Sequence, residues 1–358
     1  MRACTTLKTF RQLLFLLSGI LALVFDAVLY STELQSQSDS LATKKYDPFN
    51  KAELYNYVRL KLPVTESVLL QPRTRGKAAL VFPRPEFVFA QMASKKQTIN
   101  MGRLYAVSSG FVIANYYAYW RLKDVWWNNP KTKFHFYRGW RQTQGSYDFG
   151  LDDSLWHHID KFGHYYNTRY ASLLLADTAN WIGFQKKQSL WIGAITSWLL
   201  FLQIELFDSQ FEEWGFSLGD LAANTAGAFT PILSDHYPVL QNFKLKLSYH
   251  ISEEIDKERY VVEDYAGMTF WLTASPRLVL PDVLDRFWPG FLNVAFGYGV
   301  SQKAHGDVEL YLGLDYNLEK IRTKSALLNR IIYYVDYLHL PAPAIRIRPM
   351  KESYFLYY

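Results

Sequence analysis

The stretch SLGDLAANTAGAFTPILSDHYPVLQNFKLKLSYHI, residues 217–251, changes its repeat partway along, and that change decides the fold. Up to Leu233 it is rich in small residues and reads as a helix. Ser217 and Asp220 form the S-x-x-D pattern of a helix start. Beyond Pro238 the repeat is two. Leu245, Leu247, Tyr249 and Ile251 fall on one side of an extended chain, and Lys244, Lys246, Ser248 and His250 on the other.

Upstream the period is helical. Leu104, Val107, Phe111, Ala114 and Ala118 recur at helical spacing in MGRLYAVSSGFVIANYYAYWRL, and Pro130 ends that region. A second helix runs through HHIDKFGHYYNTRY (157–170) to about Ala179. A third, SLWIGAITSWLLFLQIELFD (189–208), carries an apolar run from Leu190 to Leu202, which suits a buried core helix or a marginal membrane helix. Downstream, FLNVAFGYGV and ELYLGLDY alternate as strands, and PAPAIRIRP and YFLYY are extended. SALLNRIIYYVDYL reads as an amphipathic helix through Leu327, Leu328, Ile331, Ile332 and Val335. The expectation is an α+β protein. A bundle of about four helices over 99–235 precedes a strand-rich region, 236–358, with one amphipathic helix near 323–338. Segments 291–300 and 308–317 also have the outward-apolar, inward-small pattern of outer-membrane strands, although a small sheet packed on the helices is favoured.

Arg2, Lys8 and Arg11 precede the apolar run Leu13 to Phe25, so residues 1–26 read as an export signal or N-terminal anchor. Residues 27–98 read as a polar linker with short, proline-broken strands. The lone cysteine, Cys4, lies ahead of the apolar run, so it is not the lipid-modified cysteine that ends a lipoprotein signal, and no disulfide forms within the chain. The net charge of +6 comes from 39 basic and 33 acidic residues without a dense basic tract, which argues against nucleic acid as a partner. The 11 Trp, 26 Tyr and 24 Phe favour a membrane interface, with membrane lipid or envelope proteins as partners.

Polar groups fall on three successive helices: Asp160, Lys161 and His164; Glu205 and Asp208; Asp220 and Asn224. If neighbouring helices are antiparallel, these meet at one end of the bundle. His164, Glu205, Asp208 and Asp220 then suit a divalent metal, and the whole set suits acid–base chemistry. Each group also has a structural use, as an ion pair or a helix cap. Glu205 interrupts an apolar helix, and a charge there costs several kcal/mol unless it is paired.

In this order, DKFGHYYNTRYAS followed by IELFDSQFEEWGFSLGDLAANTAGA resembles the uncharacterised envelope family of predicted periplasmic lipoproteins typified by YfiM. It is more distantly similar to VanZ-like membrane proteins. Gly163, Glu213, Gly215, Ser217, Gly219 and Gly227 join the polar residues in the motif. The resemblance covers roughly residues 100–240 and returns through YAGMTFWLTA, GYGV, LGLDYNLEKIRTK and LPAPAI. It implies a helical unit in the bacterial envelope, periplasmic and membrane-associated, and it implies no reaction.

The chain has no G-x-S-x-G, no H-E-x-x-H and no P-loop, and no cysteine placed to act as a nucleophile. The leading expectation is therefore a structural or scaffolding envelope protein with a buried Asp/Lys/His/Glu network. The alternative is a metal-dependent or acid–base hydrolase or transferase acting on lipid or cell-wall material. There His164 is base or ligand, Asp160 orients it, and Glu205, Asp208 and Asp220 bind the ion or the substrate.

Overall fold

A computed structural model describes residues 92, 98–137, 157–252, 264–276, 287–301 and 306–357. The export signal or anchor expected over 1–26, and the linker and strands expected over 27–98 apart from residues 92 and 98, lie outside the described residues.

Helix α1, Met101–Leu122, is capped by the Asn100 side chain, which accepts from the Arg103 amide at 2.9 Å. Helices α2 (Ile159–Ile182), α3 (Lys186–Asp208) and α4 (Leu218–His236) pack on one another. A tight turn joins α2 to α3, with Gly183 at φ 126°, where a side chain would be strained. α3 runs antiparallel to α2, and α4 runs parallel to it: Ser172 Oγ donates to the Ala228 carbonyl at 2.8 Å and Thr168 Oγ1 to Asn224 Oδ1 at 2.9 Å. This puts the N-termini of α2 and α4 beside the C-terminus of α3. A Cβ at Gly227 would lie 2.4 Å from the Tyr165 carbonyl oxygen, so the α2–α4 contact requires glycine.

α3 is long and apolar enough to cross a membrane, and half of its most apolar window is buried in the protein. Ser189, Gly193, Ala194, Ser197 and Glu205 are among its buried residues. The second helix begins only at Ile159. His157 and His158 stand ahead of it in left-handed conformations, so they are not an adjacent pair on a helix.

A six-stranded antiparallel meander follows in the order β1 (Phe243–Tyr249), β2 (Met268–Ala274), β3 (Leu292–Val300), β4 (Val308–Tyr316), β5 (Ala342–Arg348) and β6 (Glu352–Tyr357). Helix α5, Ala326–Val335, interrupts the meander between β4 and β5, capped by Ser325. The sheet curls. Three strands separate β2 from β6, about 19 Å if flat at the usual strand spacing. Yet Thr269 Oγ1 and the Tyr357 hydroxyl lie 3.1 Å apart. Segment 337–339 lines the free edge of β1: Leu247 N–H donates to the Tyr337 carbonyl and His339 N–H to that of Leu247.

The register shows which side is inside. One row reads Lys246, Trp271, Gly297, Tyr311, Arg346, Glu352 across the six strands. The next reads Leu245, Leu272, Phe296, Leu312, Ile345, Ser353. Lys246 and Trp271 are 0% exposed and Tyr311 1%, whereas Leu272, Phe296, Leu312 and Ile345 are 45–53% exposed. The concave side is therefore polar and aromatic, and the convex side is apolar. The helices cover only part of the convex side. Phe162 of α2 stacks on Phe270 at 5.9 Å and Tyr298 at 5.0 Å. A shared core joins Ile159, Tyr166 and Leu173 of α2 to Leu245, Phe270, Val300 and Tyr337. Helices and sheet thus lie in one compact unit rather than as separate bodies.

Candidate functional site

The three polar clusters meet where α2 and α4 begin and α3 ends. Asp160 and Asp220 stand in the first turns of α2 and α4, where the helix N-termini favour negative charge. Ser217 Oγ accepts from the Asp220 amide at 3.1 Å, which caps α4. Lys161 Nζ pairs with Asp160 and lies 2.8 Å from Asp220 Oδ1. One ammonium therefore bridges two carboxylates on different helices.

His164 is central and half-buried. Its Nδ1 lies 3.1 Å from Asn224 Oδ1, which also accepts from Thr168. A carbonyl oxygen only accepts, so Nδ1 carries a proton and Nε2, 3.5 Å from Asp220 Oδ1, faces that carboxylate. Asn224, fully buried, turns its amide nitrogen to Glu205 Oε1 at 3.4 Å. His164 Nδ1 is 3.9 Å from the same Glu205 oxygen.

The carboxyl groups differ in protonation for physical reasons. Burial pushes Glu205 well above the usual carboxylate range, and Asp220 and Asp208 push it further. Burial also raises Asp208, to about 7, against the Trp127 indole N–H that donates to it at 2.6 Å. For Asp220, burial is outweighed by His164 and Lys161, which hold it below the usual range. The cluster therefore favours the ionised form at Asp220, beside the imidazole, and disfavours it at Glu205 and Asp208.

His164, Glu205 and Asp220 each offer a ligand atom, all within 4.8 Å of one another. One imidazole and two carboxylates suit a divalent ion such as zinc. Two features oppose it: Lys161 already supplies a cation to Asp220, and burial disfavours the ionised form of Glu205 that a metal would need. Asp208 lies outside that group and is turned to Trp127. Beside the cluster, an apolar groove of about 550 Å³ is lined by Lys161, Phe162, Tyr165, Leu233, Phe243 and Leu272, among others.

The residue pattern did not disclose Trp127 or Thr168, which satisfy Asp208 and Asn224. It also missed a second charged cluster inside the sheet. Lys246 Nζ lies 2.8 Å from Asp315 Oδ2 and 2.9 Å from Asp336 Oδ1, and it donates to the Tyr316 carbonyl. Lys244 pairs with Asp336 at 2.8 Å and with Glu319. His339 lies flat on Trp271, ring centroids 4.1 Å apart, and burial lowers it to about 4, so it is neutral. The signal available was the K-L-K-L alternation, which reads as a wetted strand face when taken alone.

Residues 149–236 match the model of a family described as "Predicted periplasmic lipoprotein (DUF2279)". The matched segment takes in α2, α3 and α4 and every residue of the helical cluster except the Trp127 partner. It ends with α4, so the sheet and α5 lie beyond it. The expected likeness to the periplasmic lipoproteins is therefore found over the three-helix unit. No curated protein and no solved structure matches the chain.

Proposed function

We propose that this is a non-enzymatic, membrane-associated protein of the bacterial envelope. Its helical network would fix how three helices register, and its sheet would present an apolar side to lipid. The observation that carries the reading is the inverted sheet: Lys246 and Asp315 are enclosed while Leu272, Phe296, Leu312 and Ile345 face outward. Apolar-out, polar-in strands are the arrangement lipid selects, and the outer membrane is the layer in which it is common. The match of the helical unit to predicted periplasmic lipoproteins supports an envelope location.

The test is flotation of the purified chain with phospholipid vesicles, beside Leu312→Asp. Leu312 is half exposed, so the variant should fold and float less, by about tenfold, the order expected when one leucine is kept out of lipid. Native protein that stays with the soluble fraction would end the membrane reading.

A second reading, a metal-dependent or acid–base hydrolase or transferase acting on lipid or cell-wall material, is favoured by the His164, Glu205 and Asp220 grouping. Thermal midpoints of native protein and His164→Ala, with and without zinc, separate the two. A structural network predicts a lower midpoint for the variant and no zinc effect. Zinc stabilising only the native chain would favour the second reading.

A further inference from the structure

Helix α5 shows its apolar stripe to solvent. Leu327, Leu328, Ile331, Val335 and, just beyond the helix, Leu338 are 70, 45, 49, 38 and 47% exposed. At helical spacing they fall within an arc of about 100°. The opposite side is held down. Asp336 bonds Lys244 and Lys246, Arg330 Nε lies 2.7 Å from Asp177, and the Tyr334 hydroxyl donates to the Leu173 carbonyl at 3.3 Å. Tyr333 and Tyr337 are buried beneath it. These contacts come from β1 and α2, so the helix cannot roll its leucines inward without breaking them.

The approach to the helix is basic. Lys320, Arg322 and Lys324 are exposed, and Ile321 between them is 52% exposed. The acids of this segment, Glu319 and Asp336, both turn to Lys244. Residues 320–338 therefore expose three cations and a leucine-rich stripe, while Glu319 and Asp336 are engaged by Lys244.

We propose that residues 320–338 are an anchor for anionic phospholipid. The stripe seats among the acyl chains at the interface, and Lys320, Arg322 and Lys324 meet the headgroup phosphates. Charge complementarity selects lipid over a protein partner, because a lipid surface supplies phosphates and apolar chains in the layered order that the segment presents. The proposal rests on the reading that the protein works at a membrane, and it names where and to what the protein attaches.

The experiment is flotation of the full chain with vesicles of phosphatidylcholine, alone or mixed with phosphatidylglycerol, with circular dichroism to check folding. The variants are Leu328→Glu with Ile331→Glu, Lys320→Gln with Lys324→Gln, and Leu312→Glu on the sheet. The first pair should lower partition into the mixed vesicles by about tenfold or more at a near-native midpoint. The second should weaken the preference for phosphatidylglycerol by about fivefold per cation removed, keeping the share of Arg322, and leave binding to phosphatidylcholine unchanged. If both pairs float like native protein and only Leu312→Glu does not, the anchor is wrong and the membrane reading stands. If native protein floats with neither vesicle, both fall. If Leu328→Glu with Ile331→Glu changes only the self-association or protein contacts of the chain, the stripe is a protein surface and the proposal is overturned.

Discussion

The two charged clusters are built from the same residue types and behave differently. In the sheet, Asp336 is shared by Lys244 and Lys246, whose charges hold its carboxyl below the usual range despite its burial. Its neighbour Asp315, with Lys246 as its cation, is pushed up by burial to about 6. In the helices, a single ammonium, Lys161, serves Asp160 and Asp220, and Glu205 and Asp208 are left to burial. The ratio of cations to carboxylates sets the difference. A carboxylate shared by two lysines, Asp336, is held ionised, whereas those with one cation or none, Asp315 and Asp208, are raised by burial.

Lys246→Met would break the comparison most severely. The variant would enclose Asp315 with no cation and leave Asp336 with Lys244 alone. Removing one partner of a buried pair costs about 3–5 kcal/mol, and denaturant unfolding should show a loss of that order or no folded protein. His164→Ala should cost less, about 1–2 kcal/mol, because it removes one hydrogen bond to buried Asn224 and leaves the Thr168 bond in place. A loss as large as that of Lys246→Met would mean that the helical cluster is as tightly fixed as the sheet's.

Asp208→Asn should have the smallest effect and the opposite sign. The folded pKa of Asp208 is raised to about 7, so the native state binds a proton that the unfolded chain releases near 4. Its contribution to stability is therefore present in acid and lost as pH rises from about 4 to 7. Asparagine keeps an acceptor for Trp127 and cannot ionise, but it buries an amide nitrogen, so of the roughly 4 kcal/mol that the shift implies about 1 kcal/mol should remain as a gain over native protein above neutrality, with a flatter pH profile. Asp336 titrates in the other sense. Its depressed pKa contributes stability above the ordinary carboxylate range, lost as the solution is acidified through its folded value. A native profile falling only in acid would mean that Asp208 is ionised in the folded state.

Much of the helical cluster was legible because it lies on helices. Asp160 and His164, four apart, share a face, and the Glu205 charge in an apolar run demanded a partner. Trp127 was not legible: it follows α1, 81 positions from Asp208, and only packing joins them. The sheet cluster was hidden for a similar reason, since Lys246 finds Asp336 across 90 positions. The α5 leucines were read correctly as one stripe, yet a stripe does not say what covers it.

Periodicity, then, belongs to the sequence alone. A repeat of 3.6 before Pro238, and of two after it outside the α5 stripe, determined an α+β chain and which residues share each face, because backbone geometry dictates both. Which face is inside was decided only by the tertiary structure. Lysines can be enclosed when carboxylates from distant elements close around them. Leucines can remain outside when the side chains opposite them hold the element in place.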